Sequence, residues 1–199
     1  MKKLIPISLL LILTNISFAY EVPKNENYYK SQIQNQRFLY NESGMVNAIT
    51  KKNSNVLEMF LKAGFSPNTK YSGTPIIMYA LFMNDIKSFD ILLEAGANPE
   101  TQVPALFVSA KPQNLLSFAI KKRSSEAVKS LINHNVDVNK VFNGQTALNY
   151  ALKTKQTIIV ELLLKAGAKP DNKSLKIVNK TKDEYLKDLF KDIKINNAN

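Results

Sequence analysis

Hydrophobic residues in this 199-residue chain form one continuous run and then a repeating pattern. The run extends from Leu4 to Ile16, behind Met1-Lys2-Lys3. Further on, apolar clusters recur at Met59-Phe60-Leu61, Ile91-Leu92-Leu93, Leu131-Ile132 and Leu162-Leu163-Leu164. Leu57, Phe89, Val128 and Val160 lie about one helical turn before them. Each cluster sits three to five residues before a turn residue: Gly64, Gly96, Asn135 or Gly167. Sixteen residues before each turn residue stands an alanine: Ala48, Ala80, Ala119 and Ala151. The alanines are 32, 39 and 32 residues apart, so the chain holds four copies of one unit.

The unit reads as two short helices. The first carries the alanine, whose small side chain allows a neighbouring helix to approach closely. The second carries the apolar cluster and ends at glycine, the residue that takes a left-handed C-cap without steric cost. Asn135 is the usual substitute. Pro67, Pro99 and Pro170 follow three residues after their glycines, where a helix cannot continue. One such pair cannot bury both its faces, whereas stacked pairs can, which predicts an all-α solenoid.

These copies resemble the ankyrin repeat family. Gly144-Gln145-Thr146-Ala147-Leu148-Asn149-Tyr150-Ala151 is similar to its G-x-T-P-L-H-x-A motif. Leu92-Leu93-Glu94-Ala95-Gly96-Ala97 and Leu162-Leu163-Leu164-Lys165-Ala166-Gly167-Ala168 resemble its L-L-x-x-G-A. Leu57 to Gly64 is a further instance. The resemblance implies a helix-turn-helix solenoid of about four repeats over residues 43–170, with helical caps at both ends. Two departures stand out. Thr74-Pro75 lies one position early by its spacing from Gly73, which leaves Pro75 in the threonine slot. No copy has histidine in the histidine slot, which implies loss of a recurring hydrogen bond from the turns.

Residues 20–42 are expected to hold an N-terminal segment and a capping helix across Tyr28–Tyr40. Residues 171–199 are expected to hold C-terminal capping helices and a tail. There Thr181-x-x-Glu184 is a capping-box pattern. Tyr185, Leu186, Leu189, Phe190 and Ile193 line one helical face behind it. The 39-residue interval contains an insertion near 101–111 that includes Val103, Leu106 and Phe107. Insertions in repeat proteins map to loops, often on the binding face. Such apolar residues serve either an interface or a cover over the third copy's helices.

The first run has the layout of a secretory signal peptide, residues 1–19, with Ser17 and Ala19 before a cut at Tyr20. It is shorter than the ~20 apolar residues that span a bilayer. This predicts a periplasmic or secreted protein with no transmembrane segment in its mature chain. The formal charge is +11. Without Lys2 and Lys3 it is +9, from 25 basic and 16 acidic residues. That excess favours acidic partners.

Candidate chemistry is sparse. The chain has no cysteine and one histidine, His134, read as a surface turn residue. No nucleophile elbow, P-loop, dinucleotide fingerprint or metal-ligand spacing is present. Asp183, Glu184 and Asp188 sit where acids complement a helix dipole. Lys121-Lys122-Arg123 closes a helix, and no aromatic residues interleave with it as nucleic-acid stacking would need. No catalytic residue, cofactor or metal is expected.

The resemblance implies recognition of a protein partner through hairpin tips and the concave helix face. On matching slots the tips are Lys70, Tyr71 and Ser72; Val141, Phe142 and Asn143; and the inserted Val103, Leu106 and Phe107. The groove-side candidates are Lys51, Met83, Lys122 and Lys153. Tyr71 and Phe142 are the expected aromatic anchors. The expected function is a monomeric, non-catalytic protein-binding module of the cell envelope or exterior. The alternatives are association with anionic lipid or cell-wall polymer, or export as an effector.

Overall fold

The computed structural model describes residues 24–103 and 113–196. The signal-peptide reading of 1–19, and the inserted Leu106 and Phe107, lie outside those residues. Helix α1 (Glu26–Asn35) precedes four helix pairs. The pairs are α2 (Glu42–Thr50) with α3 (Ser54–Lys62), α4 (Ile76–Phe82) with α5 (Ile86–Glu94), α6 (Leu115–Lys121) with α7 (Ser125–Asn133), and α8 (Ala147–Lys153) with α9 (Thr157–Lys165). Helices α10 (Asn172–Lys180) and α11 (Glu184–Asn196) follow. Two small hairpins join pairs: β1 (Lys70–Tyr71) with β2 (Thr74–Pro75), and β3 (Gln102–Val103) with β4 (Gln113–Asn114).

Three rows of side chains run through all four pairs and are fully buried. The first is Ala48, Ala80, Ala119 and Ala151. The second is Leu57, Phe89, Val128 and Val160, and the third is Phe60, Leu92, Leu131 and Leu163. Burying one such large apolar side chain contributes ~1.5–3 kcal/mol before entropy is charged against it. The second helices stack α3 on α5, α5 on α7 and α7 on α9. First helices stack likewise, but the Cα atoms of α4 and α6 approach less closely than those of their neighbours.

The turn inside each pair is built the same way. The alanine carbonyl accepts the N–H of the residue five ahead: Asn53, Asp85, Ser124 or Gln156, at 2.8–3.1 Å. Lys52, Asn84, Arg123 and Lys155, one residue earlier, take positive φ to allow it. Asn53, Asp85 and Ser124 then cap the second helix through their side chains. Gln156 does not cap α9, and instead its amide donates to the Ile120 carbonyl of the preceding pair at 3.0 Å. Each second helix ends in a Schellman motif, as the Phe65 N–H to Phe60 carbonyl bond at 3.1 Å illustrates. Asn135, at φ 59°, does the same work as the glycines.

Neighbouring pairs are also tied by side chains four residues past the turn residue. Asn68 donates to the Gly96 carbonyl at 3.0 Å and accepts from the Asn98 N–H at 2.8 Å. Asn139 repeats this with the Gly167 carbonyl and the Lys169 N–H. In the intervening copy Glu100 accepts from the Asp137 N–H at 2.8 Å. Asp171 occupies the same slot at the end of the stack and closes a capping box with Ser174.

Several local expectations are corrected. The N-terminal helix is Glu26–Asn35 rather than Tyr28–Tyr40, because Asn25 caps it early and Arg37 turns the chain at φ 64°. Ile33 and Phe38 are buried, while Leu39 is exposed. The capping box lies at Asp171–Ser174, not at Thr181–Glu184. Thr181 is instead the extended residue that ends α10, and Asp183 accepts the Leu186 N–H at the start of α11. The histidine slot still carries a side-chain hydrogen bond in the fourth copy. There Asn149, in the histidine slot, donates to Asp171 at 2.7 Å.

Two glycines separate steric from conformational cost. A Cβ on Gly44 would lie 1.8 Å from the Leu39 carbonyl oxygen, so backbone must move. A Cβ on Gly96 meets nothing within 4 Å, leaving only the strain of its φ of +92°. Gly96→Ala is expected to cost ~1–2 kcal/mol, and Gly44→Ala more than that, by chemical denaturation. Equal costs would refute this account of α2.

Asp171 gives a pH prediction. Desolvation pushes its carboxyl up, but hydrogen bonds from the Ser174 and Lys173 backbone and the Asn149 and Ser174 side chains outweigh it. The carboxyl is held below the usual aspartate range. A lowered folded value stabilises the fold above the unfolded value of ~3.9 and is lost as pH falls through the folded value. Wild type should therefore lose a stabilising increment below about pH 4 that Asp171→Asn does not lose. Parallel acid limbs for the two proteins would contradict this.

Candidate partner-binding surface

Hairpin tips and the C-terminal ends of the first helices place the candidate residues. Strand β1 pairs with β2 through Lys70–Pro75 and Tyr71–Thr74. Ser72 and Gly73 make the two-residue turn with φ of 49° and 77°. Positive φ at both centres is the type I′ signature that matches strand twist. The fourth copy builds the same turn from Asn143 and Gly144, with Phe142 and Gln145 exchanging backbone hydrogen bonds at 2.9 and 3.1 Å. In the third copy, β3 and β4 pair Gln102 with Asn114 and Val103 with Gln113. The hairpin base is thus in the ordinary place, and the seven-residue excess lies in its tip, 104–112.

Exposure sorts the candidates. Lys70, Ser72, Val141, Asn143, Lys51, Lys122 and Lys153 are exposed. Met83 is half-buried. Tyr71 and Phe142, expected to stand free as anchors, are half-buried instead. The Tyr71 ring lies 6.3 Å from that of Tyr79, and the Tyr79 hydroxyl donates to the Tyr71 carbonyl at 3.2 Å. Phe142 lines a small cleft of about 130 Å³ with Ser117, Thr146 and Tyr150. Both rings brace their hairpins against the first helices, because a two-residue strand has too few hydrogen bonds to hold itself.

Sequence reasoning missed the exposed aromatic. Phe82 is 50% exposed near the end of α4. It stands two residues after Ala80, as Lys121 and Lys153 stand two after their alanines. Its signal is its place two residues after the alanine, one before the groove-side candidate Met83. The Lys122 ammonium sits 5.2 Å from the Phe82 ring centroid, bridging the wider α4–α6 step. At the other end of the row, the Lys51 ammonium lies 5.1 Å from the Phe38 ring. Such contacts contribute ~0.5–1 kcal/mol at exposed sites.

Charge on this side is mainly positive. Lys140, beside Val141, is the exception, since Glu100 pairs with it at 2.7 Å. The hydrogen bond and then the charge of Glu100 hold the Lys140 ammonium above the ordinary lysine range. His134 ends α7, with Nδ1 2.8 Å from the Ser130 carbonyl oxygen. Among the described residues, no group of three or more His, Asp or Glu residues could hold a metal ion. No helix among them is long and apolar enough to cross a membrane.

Residues 104–174 match the family model described as ankyrin repeats, three copies. The chain is 36% identical over 102 residues to human transient receptor potential cation channel subfamily A member 1, covering 50% of this chain and 8% of the channel. It is 27% identical over 129 residues to an ankyrin repeat domain-containing protein of Stachybotrys chartarum, covering 64% of this chain and 6% of that one. It is 20% identical over 129 residues to a putative ankyrin repeat protein of Fowlpox virus, covering 64% of this chain and 28% of that protein. The chain thus spans less than a third of each of these relatives. Among solved structures, the ankyrin repeat domain of Bcl-3 superposes with a TM-score of 0.54 at 18% identity, covering 68% of this chain and 67% of that one. The fold is therefore an ankyrin-type helix-turn-helix solenoid.

The different settings of the two aromatics give a direct check. Tyr71→Ala should lower stability by ~1–2 kcal/mol, less than a full core truncation because the ring is only half-buried. Phe82→Ala should cost about 0.5–1 kcal/mol, the value of its cation contact. If Phe82→Ala proves the more damaging in denaturant titration, the assignment of brace and exposed aromatic is reversed.

Proposed function

We propose that the chain is a non-catalytic module that recognises an acidic protein partner outside the cytoplasm. The ankyrin-type fold supports the general reading, since ankyrin repeats generally mediate protein–protein interaction. One observation supports the acidic partner: an exposed aromatic, Phe82, in a row that continues as Lys121 and Lys153 in the next two copies, with Lys122 against its ring. An aromatic anchor inside a basic field suits a partner that brings an apolar side chain flanked by carboxylates. Ser72, Asn143 and Val141 at the hairpin tips, with the inserted 104–112, supply the adjoining contacts. The monomer is complete as a recognition surface, because a concave stack face needs no second copy to form it.

Export is part of the proposal and rests on the leader pattern of residues 1–19. A second reading, association with anionic lipid or cell-wall polymer, is favoured by the basic residues at the turns inside the pairs. These are Lys51 and Lys52, Lys121 to Arg123, and Lys153 and Lys155, with only the second copy lacking them.

The test uses the chain as exported, whose first residue should be Tyr20. It is immobilised and used to capture from envelope extract, with captured proteins identified by mass. A partner should be retained at low salt, released as salt rises, and lost with Phe82→Ala or with Lys121→Gln/Lys122→Gln/Lys153→Gln. Retention indifferent to salt and to these changes would remove the acidic-partner reading. Binding to anionic vesicles in place of any protein would select the second reading.

A further inference from the structure

Successive second helices pack closely through the four copies, but α11 does not continue the row. Its Cα atoms lie farther from α9 than those of α9 lie from α7. Two polar struts span the gap. The Thr157 hydroxyl donates to Asp183 at 3.3 Å, and the Tyr185 hydroxyl donates to Glu161 at 2.8 Å. The gap leaves a cavity of about 620 Å³ between the fourth copy and the cap. That volume is within the ~300–1,000 Å³ typical of small-ligand pockets.

Its lining divides by chemistry. Leu152, Val178 and Leu186 are buried and Ile177 half-buried, so the base is apolar. Lys153, Lys155, Lys180 and Lys182 also line it and are exposed, which places four cations at the mouth. Asp183 is the only acid of the lining, and both its oxygens are engaged, one by Thr157 and one by the Leu186 N–H. Helix α9 begins at this mouth without a side-chain cap, unlike the second helices of the other three copies.

We propose that this cavity binds a small amphipathic anion: an unbranched apolar chain held by the base, with a carboxylate or phosphate head among the lysines. A neutral molecule of the same size would leave the four cations uncompensated in their mutual repulsion. A bare anion would leave the apolar base wetted. The site shares Lys153 with the row that runs past Phe82, whereas Lys180 and Lys182 belong to the cavity alone, so the two readings are tested by different residues. The free molecule is favoured over a bilayer lipid, because Leu152, Val178 and Leu186 lie buried between helices rather than on a face that a bilayer could cover.

Calorimetry with the mature chain and sodium decanoate tests this. One-to-one saturable binding is expected, with no comparable binding of decanol, decyltrimethylammonium or inorganic phosphate. Lys180→Gln/Lys182→Gln should weaken decanoate by at least about fivefold. Lys24→Gln/Lys30→Gln, before and on α1 at the far end of the stack, should leave affinity unchanged while removing the same charge. Thermal melts confirm that both variants are folded. The proposal is overturned by absent or unsaturable binding, by equal binding of decanol, or by equal loss in the two lysine pairs. It is also overturned if the chain binds decanoate only in anionic vesicles.

Discussion

A helix pair of this size cannot hide both of its apolar faces, and every other feature of the molecule follows from how that is solved. The second helices are nine residues long and carry buried side chains toward both neighbours. Their stability therefore lies in the stacking. The alanine of each first helix makes the stacking possible in two ways. Its side chain, fully buried in all four copies, keeps the helices close. Its carbonyl accepts the N–H that starts the second helix, which fixes the angle of the pair. The left-handed residue between them is a charged or amide residue in every copy rather than glycine. The closed turn outweighs a local strain of order 1–2 kcal/mol at each.

Once the frame is fixed by buried rows and backbone turns, the exposed slots are relieved of structural duty. The slot two residues after the alanine holds Thr50, Phe82, Lys121 and Lys153, four different chemical choices on one backbone. That freedom explains why the fold is legible while the partner is not. It also explains why the positive charge says less than its sum suggests. Lys62 and Lys165 pair with glutamates one turn away, and Lys140 pairs with Glu100. At the turns inside the pairs, Lys51 and Lys122 lie against the Phe38 and Phe82 rings.

The repeat was readable because its marks are the residues least replaceable on physical grounds: a buried alanine, a C-terminal glycine or asparagine, and a leucine cluster at fixed distance. What was not readable depended on contacts between copies. Tyr71 looks like a free hairpin aromatic until Tyr79, eight residues later, is placed under it. Phe82 looks like part of an apolar helix, Ile76 to Phe82, and only the stack shows that this one ring faces out. Asn149 looks like a lost histidine until Asp171 of the next turn arrives to accept from it. Lys52, Arg123 and Lys155 carry no sequence sign of positive φ, since lysine and arginine are ordinary helix residues.

Departures from periodicity are where a repeat protein can differ along its length, because identical copies offer identical surfaces. This chain departs from its own pattern at two steps. Between the second and third copies, the first helices spread and the hairpin is lengthened, and Lys122 and Phe82 fill the step. Between the fourth copy and the cap, the second helices spread, and polar struts add to the apolar packing of Leu186 and Phe190. A purely structural cap would be expected to close tightly, since it exists to hide the last apolar face. Here the cap hides Leu163 and Val160 completely yet leaves an apolar-based cavity ringed by lysines beside them. Filling that space would have required only larger apolar side chains on α10 or α11, so the opening is not forced by the need to end the stack.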